Sequence, residues 1–274
     1  MSGQRPDSER PLPLSNRTDD NVQGHWLLAR LGKRVLRPGG VELTRTLLAR
    51  ADVSGADVLE LAPGLGRTAA EIVARHPRSY VGAESDPDAA KVVRGVLGGD
   101  RDGHIEVRVT DAADTGLPDA SSDVVIGEAM LSMQSDTAKH AIVAEAARVL
   151  RPRGRYAIHE LALTPDDVAA DISADVRQSL ARAIKVNARP LTIAEWSQLL
   201  TGHGLVVEHV ATAPMALLQP RRVIADEGLV GALRFAKNVL TNPDARKRIL
   251  LMRRTFRRNR ERLTAVAIIA YKPA

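Results

Sequence analysis

No cysteine occurs among the 274 residues. That absence excludes disulfides, thiolate nucleophiles and cysteine-bound metals. A cytoplasmic address is the simplest expectation, and no metal site is expected. Aromatic residues make up only 3% of the chain, so the ring platforms on which nucleic-acid bases stack are scarce. No run approaches the roughly 18 consecutive apolar residues needed to cross a bilayer. Residues 1–21 are polar and proline-rich, without the apolar stretch of a secretory leader. They read as a disordered lead-in, and one folded domain is expected over residues 22–273.

What is present is an apolar share of 44%, ample for a globular core. The net charge of +6 is local. Residues 221–262 hold thirteen Arg and Lys against four Asp and Glu, a balance of +9 that leaves −3 for the remainder. Nine of those cations fall within 246–262, where Ile249, Met252 and Phe256 share one helical face. A basic amphipathic helix of this kind is expected to pack as a lid over a site. The same pattern would suit an anionic membrane surface or the phosphates of RNA, and both alternatives stay open. Scarce aromatics and the lack of an Asn-Pro-Pro-Tyr tetrapeptide after the fourth strand make nucleic acid the weaker of the two.

Apolar periodicity predicts helices over 25–37 and 41–51, separated by Pro38-Gly39-Gly40. Strands are then expected at 57–61, 80–83, 104–109, 123–126 and 155–159, with helices over 67–75, 86–97 and 139–150. This alternation argues a parallel α/β sheet with helices on both faces. Further on, 165–185 reads as helical, Thr192 and Glu195 form a capping box, and strands are expected at 205–210 and 263–271. Cover for a site would come from the segment around His25 and Trp26, from 164–190 and from 221–262.

The most informative stretch is Val58-Leu59-Glu60-Leu61-Ala62-Pro63-Gly64-Leu65-Gly66. A strand feeding a helix through a glycine turn is a nucleotide-binding corner. Glu60 decides which nucleotide. An acid just ahead of the turn repels a pyrophosphate and attracts an ammonium group. S-adenosylmethionine, an adenosine joined to a cationic amino acid, carries that group. Ala62 is expected to keep a negative φ, because only glycine adopts the opposite sign freely.

The order of these segments resembles a class I S-adenosylmethionine-dependent methyltransferase of the small-molecule type, over roughly residues 41–271. The family signature is acidic-x-Gly-x-Gly-x-Gly; here Glu60, Ala62, Gly64 and Gly66 occupy its places, with Ala62 for the first glycine. The resemblance implies a Rossmann-like, seven-stranded, mostly parallel sheet whose last strand runs antiparallel. It implies donor contacts from Glu60, Ala62, Pro63, Gly64 and Gly66. Glu84, at the end of the second strand, would meet the ribose hydroxyls, Asp111 with Ala112 would meet the adenine, and Ser85 and Glu128 would add further donor contacts. Glu128, after the fourth strand, would lie between donor and acceptor and orient the acceptor or take its proton. His159, at the end of the fifth strand, would face the acceptor as a second candidate base. The Leu150-Arg151-Pro152-Arg153-Gly154 turn matches a family turn with Arg153 in a glycine place.

A dehydrogenase is the main rival. Gly64, Gly66 and Ala69 fit the dinucleotide fingerprint and Glu84 has the right offset, but Glu60 would oppose the pyrophosphate. A non-catalytic donor-binding protein is a further alternative. The reading that best accommodates all the motifs is a methyltransferase acting on oxygen, nitrogen or carbon of a small, hydrophobic acceptor.

Overall fold

The computed structural model describes residues 22–98 and 103–274; the expected lead-in at 1–21 lies outside the described residues. In chain order the elements are α1 (Gly24–Arg30), α2 (Gly40–Ala51), β1 (Asp57–Leu61), α3 (Arg67–Val73), β2 (Ser79–Glu84), α4 (Pro87–Leu97), β3 (Ile105–Val109), β4 (Ser122–Glu128), α5 (Asp136–Val149), β5 (Leu150–Leu163), α6 (Ala170–Ile184), β6 (Leu191–Thr192), α7 (Ile193–Thr201), β7 (Val206–Pro214), α8 (Pro220–Thr241), α9 (Pro243–Arg258) and β8 (Leu263–Tyr271). A 3-10 turn, Leu131–Met133, follows β4.

The strands form one sheet in the order β3-β2-β1-β4-β5-β8-β7, with the two-residue β6 attached to β5. The pairs from β3 to β5 are parallel. β8 is antiparallel to both β5 and β7, as expected for the last strand. The chain first builds outward from β1 to β3 and then returns to β4 on the other side of β1. Crevices that bind ligands open at such a reversal, beyond the carboxyl ends of the strands.

Local chemistry explains the helix starts that position this edge. Asp86 caps α4 by accepting from the amides of Asp88 (2.8 Å) and Ala89 (3.3 Å), with Pro87 in the first turn. The Thr192–Glu195 capping box opens α7. Gly66, at φ +71°, releases the chain into α3, and a Cβ there would meet the Val93 backbone at 3.3 Å, so the glycine also allows α3 and α4 to approach.

Three apolar clusters fill the molecule. Leu47, Leu48, Ile72 and Val93 pack α2, α3 and α4 on one sheet face. Ile142, Val143, Trp196 and Leu200 pack α5 and α7 on the other. The third cluster joins Trp26 and Leu27 of α1, Leu180 of α6, Phe235 of α8 and Met252 and Phe256 of α9 above the carboxyl edge.

Several boundaries differ from expectation. The helix expected over 25–37 stops at Arg30, since Gly32 takes φ +100°. The chain beyond it is pinned instead from the far end of the sequence. Glu227 accepts from the amides of Arg34 and Val35, both at 2.8 Å, and Asp226 from the buried Lys33 ammonium at 3.1 Å. β5 is far longer than 155–159 because its ladder with β8 continues to Leu163. Arg153 sits at φ +67°, consistent with its glycine place. Gly228, at φ +70°, breaks α8 into two parts.

Candidate active site

A cavity of about 590 Å3 opens at the carboxyl ends of β1, β2 and β4, within the roughly 300–1,000 Å3 range of small-molecule sites. Its floor is the turn Ala62 to Leu65 after β1, Glu84 to Asp86 after β2 and Glu128 to Met130 after β4. Its roof is apolar: Trp26 and Leu28 of α1, Met215 and Leu217 after β7, and Met252 and Phe256 of α9.

The turn after β1 carries a correction. Ala62 has φ +52°, not a negative value, and Gly64 and Gly66 follow at +58° and +71°. The ladder with β2 extends one residue past β1, since the Ala62 amide donates to Ala83 O at 2.8 Å, and the chain must then reverse at once. The left-handed region costs a non-glycine residue roughly 1–2 kcal/mol. Ala129, just after β4, takes the same conformation at +53°. Backbone strain thus gathers at the floor of the cavity, where it is commonly stored for function. Above Gly64 a Cβ would meet nothing nearer than Ala62 O at 3.8 Å, so the turn leaves its upper side open.

Glu84 is nearly buried. Its two carboxylate oxygens accept from the amides of Gly64 (3.0 Å) and Asp86 (3.1 Å). Two of about four acceptor sites are therefore used, and the others remain for a diol. Burial raises its pKa against these amide bonds.

Glu60 lines the same cavity from beneath the turn. It is 2% exposed, and its Oε2 accepts the Tyr80 phenol proton at 2.6 Å. Burial, with the nearby Glu128 adding to it, pushes its carboxyl up to about 8 despite the Tyr80 bond. The acid is therefore mostly protonated at neutral pH until a cation arrives, whereas sequence reasoning took it as ionised. A ligand ammonium would supply the missing counter-charge, which is the sense in which the site fits S-adenosylmethionine.

Glu128 sits at the centre of a buried network. Oε1 accepts from Thr44 Oγ1 and from His159 Nδ1 at 2.8 Å. Oε2 accepts from Arg37 Nη1 at 2.6 Å and from Thr68. Burial opposes its ionisation, but Arg37, His159 and Thr44 together outweigh that and hold the carboxyl below the usual range. With both oxygens engaged and basicity lowered, this side chain is equipped to fix its neighbours more than to take a proton.

His159 is corrected more sharply. It was expected to face an acceptor, yet it is fully buried and absent from the cavity wall. The phase of β5 turns it toward α2, where Nδ1 also lies 3.2 Å from Thr44 Oγ1. Its neighbour Glu160, which lines the cavity, receives the amides of Met130 (2.9 Å), Leu131 (2.7 Å) and Ser132 (3.0 Å) and the Ser132 hydroxyl (2.6 Å). It clamps the segment after β4 and was missed as a site residue. Arg37, Thr44 and Thr68 were missed as well; no local pattern marks them, because they meet Glu128 only through the fold.

Asp111 and Ala112, after β3, are not on the cavity wall. Asp111 Oδ1 accepts from the Ala113 amide at 2.8 Å, an Asx-turn that leaves one oxygen for other partners. Among the described residues no group of three or more His, Asp or Glu is arranged to hold a metal. No helix there is long and apolar enough to cross a membrane.

Comparison with known proteins accords with this geometry. Residues 58–154 match a sequence profile described as a methyltransferase domain. An uncharacterized protein of Haemophilus influenzae is 32% identical over 251 residues, covering 91% of this chain and 98% of that protein. A probable S-adenosylmethionine-dependent methyltransferase of Mycolicibacterium smegmatis is 31% identical over 155 residues, 57% of this chain and 54% of that protein. Among solved structures, the phosphoethanolamine N-methyltransferase 2 of Haemonchus contortus in complex with S-adenosylmethionine superposes with a TM-score of 0.67 at 16% identity, over 95% of this chain and 59% of the other. The profile match, which runs from β1 into the first residues of β5, identifies residues 58–154 as a methyltransferase domain and favours S-adenosylmethionine over a dinucleotide.

Proposed function

We propose that the enzyme methylates oxygen, nitrogen or carbon of a small, apolar metabolite. The observation that carries this reading is the roof. Trp26, Leu28, Met215, Leu217, Met252 and Phe256 close the side of the cavity opposite the glycine turn, and such a lining discriminates by apolar contact and exclusion of water.

When bound, S-adenosylmethionine supplies a methyl group on a sulfonium, already a good leaving group. Glu60, Ala62, Pro63 and Gly64 on the cavity wall are assigned to its amino-acid part, with Gly66 shaping the turn behind them, and Glu84 with Ser85 to its contacts at the end of β2, Glu84 taking the ribose hydroxyls. Asp111 and Ala112, outside the wall, are assigned to an adenine that reaches past it. Glu128 is assigned a positioning role, fixing Arg37 and Thr68 beneath the reacting centre, and Glu160 holds Met130 to Ser132 against the acceptor. Positioning of this kind can supply roughly 7–11 kcal/mol of a barrier; transfer leaves a neutral thioether, and the proton that the acceptor gives up passes to water at the cavity mouth.

The test uses donor labelled in its methyl group, incubated with enzyme and either an organic-phase or an aqueous metabolite extract. Label is expected in the organic phase. Label that appears only in water-soluble products or in added RNA would overturn the apolar assignment.

A further inference from the structure

We propose that the outward face of the α8–α9 hairpin docks on an anionic lipid surface. The inner face of the hairpin belongs to the core: Phe235, Ile249, Met252 and Phe256 are buried, and the last two roof the cavity. The outer face does not have the composition of an ordinary solvated helix. On α8, Leu229, Val230, Leu233 and Leu240 are 68%, 72%, 70% and 67% exposed, and on α9 Leu250 and Leu251 are 55% and 47% exposed. Leu229, Leu233 and Leu240 recur at helical spacing and so form one stripe.

Cations surround these side chains. Arg246, Lys247, Arg253, Arg254, Arg257 and Arg258 occupy the exposed face of α9, and Arg234 and Lys237 flank the stripe on α8. Asp244 is the only acid between residues 228 and 258. It lies 3.4 Å from Lys247, and Asp175 lies 3.7 Å from Arg258, so the face stays strongly positive.

Charge and apolarity together select the occupant. A second copy of the chain would set one such positive face against another. A nucleic acid would satisfy the arginines but not six exposed aliphatic side chains, and aromatic rings for its bases are scarce. A bilayer bearing anionic headgroups satisfies both: guanidinium groups meet phosphates while leucines enter the acyl boundary. Docking would bring the roof of the cavity to the membrane surface, where an apolar acceptor is concentrated. That last consequence rests on the proposed acceptor class; the docking itself does not.

The experiment is co-sedimentation of the full chain with phosphatidylcholine vesicles, with or without about one-third phosphatidylglycerol, in the absence of donor and acceptor. Binding is expected only with the anionic lipid. R253A/R254A/R257A should weaken it on the order of a hundredfold, about fivefold for each cation removed. L233Q/L240Q should also weaken it, and both variants should keep the parent melting temperature, since every altered side chain is exposed. Equal binding to both vesicle types would overturn the proposal. So would lipid binding indifferent to L233Q/L240Q, or tight binding to RNA homopolymer without lipid binding. Self-association abolished by L233Q/L240Q in a chain that ignores vesicles would assign the face to a second copy instead.

Discussion

Binding of S-adenosylmethionine should expel a proton from Glu60. Burial pushes this carboxyl up to about 8, so about nine-tenths of the free enzyme carries the proton at pH 7. A ligand ammonium placed near it favours the charged form and drives its pKa down. If the shift carries it well below neutrality, close to 0.9 of a proton is released for each donor bound at pH 7. Isothermal titration calorimetry in two buffers of different ionisation enthalpy counts that proton directly. Glu60→Gln, which retains an acceptor for the Tyr80 phenol, should reduce the count to near zero and weaken binding. Release of no proton by the parent enzyme, or the same release by Glu60→Gln, would refute the electrostatic account of this corner.

The same residue makes a prediction about stability. Its folded pKa lies above its ordinary value of 4.5, so its contribution is fully present below that value and is lost as pH rises through about 8. Glu60→Gln does not titrate; its melting temperature should therefore gain on the parent's as pH rises from 5 to 8. Glu84→Ala should weaken donor affinity by about ten- to a hundredfold, given roughly 1.5–3 kcal/mol for hydrogen bonds to a charged group; unchanged affinity would reject the ribose assignment. Glu128→Gln removes the nearer of the two carboxylates paired with the buried Arg37, leaving Glu71 at 3.3 Å, and should cost about 1.5–3 kcal/mol in urea denaturation. Ala62→Gly relieves a left-handed alanine and should stabilise by about 0.5–1 kcal/mol once the glycine entropy is subtracted, whereas Ala62→Val should destabilise.

Motifs that act within a few residues were legible in the sequence. The β1 turn and the Thr192–Glu195 box follow from neighbouring side chains, and the last strand from its apolar run, while its antiparallel direction is what the family resemblance implies. Features decided by distant partners were not. The sign of φ at Ala62 is set by the β1–β2 ladder and the reversal that follows it. The direction of His159 depends on the phase of a central strand buried on both faces. The protonation of Glu60 comes from burial beneath the turn, with Glu128, 68 residues on, adding to it and the Tyr80 bond opposing it. Arg37 and Glu128 stand 91 residues apart, and nothing local marks either as half of a pair.

The stitching of Lys33 to Asp226 and of Arg34 and Val35 to Glu227 spans about 193 residues of sequence. It binds the roof to the scaffold more tightly than the idea of an accessory flap allows. Excising residues 221–262 would strand an ammonium in oil and unmoor the very loop that delivers Arg37. Specificity in this enzyme is therefore not a cartridge to be exchanged between homologues at will. A transplanted roof would have to bring both of its carboxylates, or arrive with a rewritten loop at the other end of the chain.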